Sequence, residues 1–175
     1  MKQSCFYFMF LIIFCSACSR DMRRTPQNVN LIDDETLFEN IVVELDAFVK
    51  ERALNTVIVF RLKDYDCGEC KRYFIDLYVS TRKKTDQIVL LSRFPTYRSV
   101  LIFKKQTGIE DPIINFSGSI AKFDQALNPY VFTYRGEGVA SNFFEPLKTD
   151  LYRVHNEQVL DSMINHVQSI NEKGG

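Results

Sequence analysis

The 175 residues carry 22 basic and 22 acidic side chains, so the formal net charge is zero. The longest basic run is Arg82-Lys83-Lys84, which argues against nucleic acid as a partner. A hydrophobic fraction of 46% at this length is enough for one domain with a real core.

Residues 1–17 read as an export signal. Lys2 provides a positive start, and Phe6 to Phe14 is an unbroken apolar run, too short for a transmembrane helix of ~20 residues. Ser16 and Ala17 lead into Cys18, an arrangement that resembles a bacterial lipobox with Cys15 at the usual aliphatic position. Loose lipoboxes of this kind resemble those of Bacteroidetes lipoproteins. The resemblance implies cleavage before Cys18 and acyl chains on its sulfur and new N-terminus, which would hold the protein on a membrane surface. Plain cleavage after Ala17 would instead leave a stray thiol. Ser19–Asn30 is polar with almost no apolar periodicity, so residues 18–32 are expected to be a tether; residues 33–175 form the expected domain.

Within that domain, Leu37, Ile41, Leu45 and Phe48 are spaced for a helix between Asp33 and Leu54, with Asn55 as its stop. Thr56–Leu62 is β-branched and apolar, the pattern of a buried central strand interrupted only by Arg61. Lys71–Thr81 is a second amphipathic helix and Gln87–Leu91 a second buried strand, giving a βαβ unit with parallel strands. A third helix is expected over Tyr97–Gln106, ended by Gly108. Pro112–Phe116 is a short apolar segment, and Ser119–Leu127 a further helical turn or two. Tyr130–Tyr134 and Val139–Phe144 form a hairpin about Gly136-Glu137-Gly138. The last helix runs over Asn156–Ile170, with Asn156 as N-cap. His155 and His166 have no metal-ligand spacing to the cysteines and read as surface or boundary residues.

Once residues 1–17 and Cys18 are set aside, the remaining cysteines are Cys67 and Cys70, in Cys67-Gly68-Glu69-Cys70 between strand and helix. Two thiols three positions apart at a helix N-terminus make an exchangeable disulfide, and the helix dipole favours the thiolate of the first. Asp66 and Glu69 oppose that thiolate, while Arg61 favours it. The balance predicts a less stabilised thiolate and a reducing or isomerising couple. Two ligands are too few for structural zinc, so no metal and no cofactor are expected.

The element order resembles the thioredoxin-like fold over residues 33–170: an α/β, three-layer arrangement with a central mixed sheet flanked by helices. Thr107-Gly108-Ile109, Pro112-Ile113-Ile114, Gly118 to Phe123 and Asn128-Pro129-Tyr130-Val131-Phe132 are similar to TlpA/ResA-type envelope thioredoxins, which carry an insertion before a proline-led strand. The resemblance implies that Cys67 is the nucleophile, Cys70 the resolving thiol and Pro129 the cis-proline facing them. It further implies protein thiols and disulfides of the periplasm-facing envelope as partners. Four positions depart from the family: Asp66 stands for the usual Trp, Glu69 for Pro and Asn128 for Thr or Val. Arg61 occupies the place of a buried acid. Tyr65 could supply the docking surface of the missing tryptophan. The alternative is a non-catalytic binding module of the envelope whose CxxC is structural or vestigial.

Overall fold

The computed structural model describes residues 35–63, 68–121, 124, 129–148 and 150–173. All of them belong to one compact unit spanning Leu31–Gly175. In chain order they form β1 (Glu35–Thr36), α1 (Glu39–Glu51), β2 (Val57–Leu62), α2 (Gly68–Arg82), β3 (Ile88–Ser92), α3 (Tyr97–Thr107), β4 (Ile113–Asn115), β5 (Tyr130–Tyr134), β6 (Val139–Phe144) and α4 (Asp150–Lys173). The strands make one mixed sheet in the order β1-β6-β5-β2-β3-β4. β2 pairs in parallel with β3, and β3 with β4. β5 runs antiparallel to both β2 and β6.

Strand alternation explains why β2 is apolar on both faces. Val57 and Val59 enter a core with Ile41, Leu45 and Phe48 of α1 and with Phe132 and Tyr134 of β5. Ile58, Phe60 and Leu62 enter a second core with Phe74, Leu77 and Tyr78 of α2 and with Leu160, Met163, Ile164 and Val167 of α4. The layers are therefore α1, sheet, and α2 with α4. The Phe60 ring meets Phe74 at 5.4 Å and Tyr78 edge-on at 5.3 Å, geometry that aromatic pairs favour.

Local signals account for most boundaries. Thr96 caps α3 by accepting from Ser99 N at 3.1 Å, and Gly108 ends it at φ 71°, a left-handed value that glycine adopts without strain. The β5–β6 turn places Gly136, Glu137 and Gly138 at φ 86°, 54° and 78°. A Cβ on Gly138 would also lie 3.2 Å from Val42 of α1, so the turn and the helix packing both select glycine there.

Three expectations change. The first helix begins at Glu39, because Glu35–Thr36 pair with Val139 and Ala140 of β6 as an edge strand. It ends at Glu51, with Ala53 at φ 52°, so Asn55 is not its stop. Asn55 and Thr56 instead donate their backbone N–H groups to Asn171 Oδ1 at 2.7 and 2.9 Å, which pins the end of α4 to the start of β2. The last helix starts at Asp150, so Asn156 is an interior residue and not an N-cap. Of the Ser119–Leu127 segment, residues 122, 123 and 125–127 lie outside the described residues.

Candidate functional site

β2 carries the chain to one end of the sheet, and α2 begins after residues 64–67. The first turn of α2 holds Gly68, Glu69 and Cys70. Cys70 is half-buried and disulfide-bonded. The other four cysteines lie outside the described residues. Antiparallel pairing of Arg61 with Tyr130 puts the start of β5 at the end of β2, so the buried Pro129 sits at the sheet end where α2 starts. Glu69, Cys70, Arg61 and Pro129 are thus gathered at one end of the sheet. Cys18, Tyr65, Asp66, Cys67 and Asn128 lie outside the described residues, as does one side of the Asn128–Pro129 bond.

Glu69 is paired with Lys148, which comes from the connection between β6 and α4. The hydrogen bond and charge of Lys148 hold the Glu69 carboxyl below its usual range, with a smaller contribution from Arg72. The carboxylate expected to oppose a neighbouring thiolate is therefore largely offset by a cation that local sequence does not reveal. Asn156 braces this connection from inside α4. Its Nδ2 donates to Leu147 O at 2.9 Å and to the Tyr73 hydroxyl at 2.5 Å, so the residue next to Lys148 is fixed to both helices.

On the opposite face of β2, Arg61 is 3% exposed. It donates from Nη2 to Asp124 Oδ2 at 3.2 Å and to Gly118 O at 3.0 Å, and from Nε to Asp124 Oδ1 at 3.4 Å. Asp124 also accepts from the Tyr130 hydroxyl at 2.7 Å and from Ile120 N at 3.3 Å. Lys63 Nζ donates to Asp124 O at 2.9 Å and lies 5.9 Å from the Tyr130 ring centroid. Arg61 Nη1 is buried with no hydrogen-bond partner, so Asp124 is what makes this interior charge tolerable. The network ties the chain before β5 to the end of β2.

Asp124 and Lys148 are not marked by the sequence, and Asn156, expected there as a helix cap, takes a different role inside α4. Arg61 inside an otherwise apolar strand was the available signal, since a buried guanidinium requires a carboxylate. Lys148 and Asn156 reach partners 79 and 83 residues away, and no local pattern marks them. Among the described residues, no group of three or more His, Cys, Asp or Glu is placed to hold a metal ion. No helix among them is long and apolar enough to cross a membrane. Comparison with family models, with curated proteins and with solved structures finds no match to this chain.

Proposed function

We propose that the chain is an envelope thiol–disulfide oxidoreductase of thioredoxin-like fold, anchored through lipid on Cys18 and facing the periplasm. The observation that carries this reading is the disulfide-bonded Cys70 in the first turn of α2, directly after central strand β2 and at the same sheet end as Pro129. The β2–α2–β3 parallel unit joined to the β5–β6 hairpin and closed by α4 supports the fold assignment. Pro129 directly before strand β5 supports the TlpA/ResA-type comparison, in which an insertion precedes a proline-led strand.

In this reading the Cys67 thiolate attacks one sulfur of a protein disulfide and expels the other as a thiolate, leaving a mixed disulfide. The Cys70 thiolate then attacks the Cys67 sulfur and releases the substrate's second thiol. Two electrons pass to the substrate, Cys67 and Cys70 are joined, and an envelope dithiol reductant must restore them. Because Lys148 offsets Glu69, Asp66 is the acidic neighbour left to weigh against the helix N-terminus.

Cys70→Ser tests the proposal. The variant is expected to accumulate covalent partners through Cys67 that are released by reductant. Recovery of no adducts above the level of a Cys67→Ser, Cys70→Ser control would support the non-catalytic module instead.

A further inference from the structure

A groove of about 500 Å3 runs between α2 and the first turns of α4. Its α2 wall is Tyr73, Asp76, Leu77 and Ser80. Its other wall is Lys148, Arg153 and Glu157. The cations on that wall are already engaged: Lys148 pairs with Glu69, and Arg153 Nε donates to Glu157 Oε1 at 3.3 Å. Asp76 differs from them. It is exposed on the α2 wall and makes no hydrogen bond or ion pair among the described residues.

The neighbours of Asp76 favour a donor of positive charge. Ser80 Oγ spends its proton on Leu77 O at 2.9 Å, which leaves its lone pairs as acceptors. The Tyr73 ring is fixed by Asn156 Nδ2 on its hydroxyl, and the edge of the largely buried Leu77 closes the groove beneath it. The charged lining, Asp76 and Glu157 against Lys148 and Arg153, balances in number, but Lys148 and Arg153 are engaged with Glu69 and Glu157, which leaves Asp76 as the carboxylate without a cation among the described residues. An anion would compete with carboxylates already held by Lys148 and Arg153, whereas a cation at Asp76 competes with no such pair.

We propose that this groove binds a basic side chain, lysine or arginine, from a polypeptide partner. The aliphatic stem would lie along Tyr73 and Leu77 and the charged head against Asp76 and Ser80. Because α2 also carries Cys70, this proposal rests on the oxidoreductase reading in naming the partner: a disulfide-bearing protein with a basic residue near its cysteine.

The test uses the full-length protein and three probes: acetyl-Gly-Arg-Gly-amide, acetyl-Gly-Glu-Gly-amide and acetyl-Gly-Gly-Gly-amide. Amide shifts are followed by two-dimensional NMR. The arginine peptide should shift residues 73–80 and 148–157 saturably, with a dissociation constant on the order of 1 mM. Asp76→Asn should weaken it about two- to fivefold, as expected for one exposed ion pair. Equal responses to the glutamate or glycine peptide, shifts confined elsewhere, or an unaffected Asp76→Asn would overturn the proposal. Asp76 is exposed, so its variant is expected to fold. Exchange with disulfide-linked peptides carrying arginine or glutamate beside the cysteine separates the two ideas. Saturable arginine binding with no exchange sinks the redox reading and keeps the groove. Exchange that is indifferent to the flanking charge, with no shifts in the groove, does the reverse.

Discussion

Two ion pairs flank the same end of the sheet, and they differ in almost everything but chemistry. Arg61–Asp124 is sealed in the α1-side core, with side chains 4% and 5% exposed. Glu69–Lys148 lies on the α2 side, with Glu69 83% exposed. Water screens the second pair and not the first, so the buried pair carries the greater weight in stability. The exposed pair governs the charge beside the cysteines. Buried and solvent-screened electrostatics are thus divided between one face of β2 and the helix that follows it.

The comparison breaks first at Asp124. Asp124→Ala leaves Arg61 buried without its carboxylate and should destabilise by about 3–5 kcal/mol, read as a lower urea midpoint. The paired change Arg61→Met with Asp124→Leu removes both charges and should recover much of that loss. If the single and double variants unfold at the same midpoint, the pair is not what constrains this corner.

Tyr134 is an intermediate case. Its hydroxyl donates to Asp46 of α1 and accepts from Gly138 N at 3.1 Å. Tyr134→Phe should cost about 1–2 kcal/mol by urea unfolding, because Gly138 N and Asp46 lose their partner. Burial and the bond to Asp46 push the Tyr134 hydroxyl above its ordinary value of 10.0, and burial with the Asp111 charge does the same for Tyr78. A raised folded-state value means that the contribution is complete below pH 10 and is lost as pH rises beyond it. Stability should therefore fall in the alkaline range, and less steeply in Tyr134→Phe.

The smallest effect on stability belongs to Lys148→Gln, which should leave the urea midpoint unmoved. Its expected signature is chemical. An uncompensated Glu69 disfavours thiolate, so on the proposed oxidoreductase reading the Cys67–Cys70 couple should become more reducing by about two- to threefold in its equilibrium with glutathione. Glu69→Gln should move it the other way. Since the Glu69 carboxyl is held below 4.5, the pairing is complete above that pH and is lost as pH falls through the lowered value. A Lys148→Gln protein with an unchanged equilibrium would confine that pair to the surface.

Sequence carried the parts of the fold whose causes are local. Tyr130–Tyr134 and Val139–Phe144 were legible residue by residue because alternation and the Gly136-Glu137-Gly138 turn lie within a single short stretch. The start of α4 was missed because residues 150–155 form turns of a helix whose apolar stripe begins only at Val159 and Leu160. Asn156 consequently resembled a cap. Edge strand β1 lies within a stretch whose spacing predicts helix, because its pairing with β6 is made more than 100 residues away. Of the candidate site, the Cys67-Gly68-Glu69-Cys70 motif and the oddity of Arg61 were visible. Asp124 and Lys148, the partners that give Arg61 and Glu69 their meaning, were hidden by the same long-range closure.

The most direct test of the central claim is the reduction potential of the Cys67–Cys70 pair, measured by equilibrating the protein with glutathione redox buffers. The account predicts a two-electron couple that exchanges with the buffer at a potential above about −300 mV. A potential below that value, or a disulfide that does not exchange, would mark Cys70 as part of a structural staple and contradict the oxidoreductase proposal.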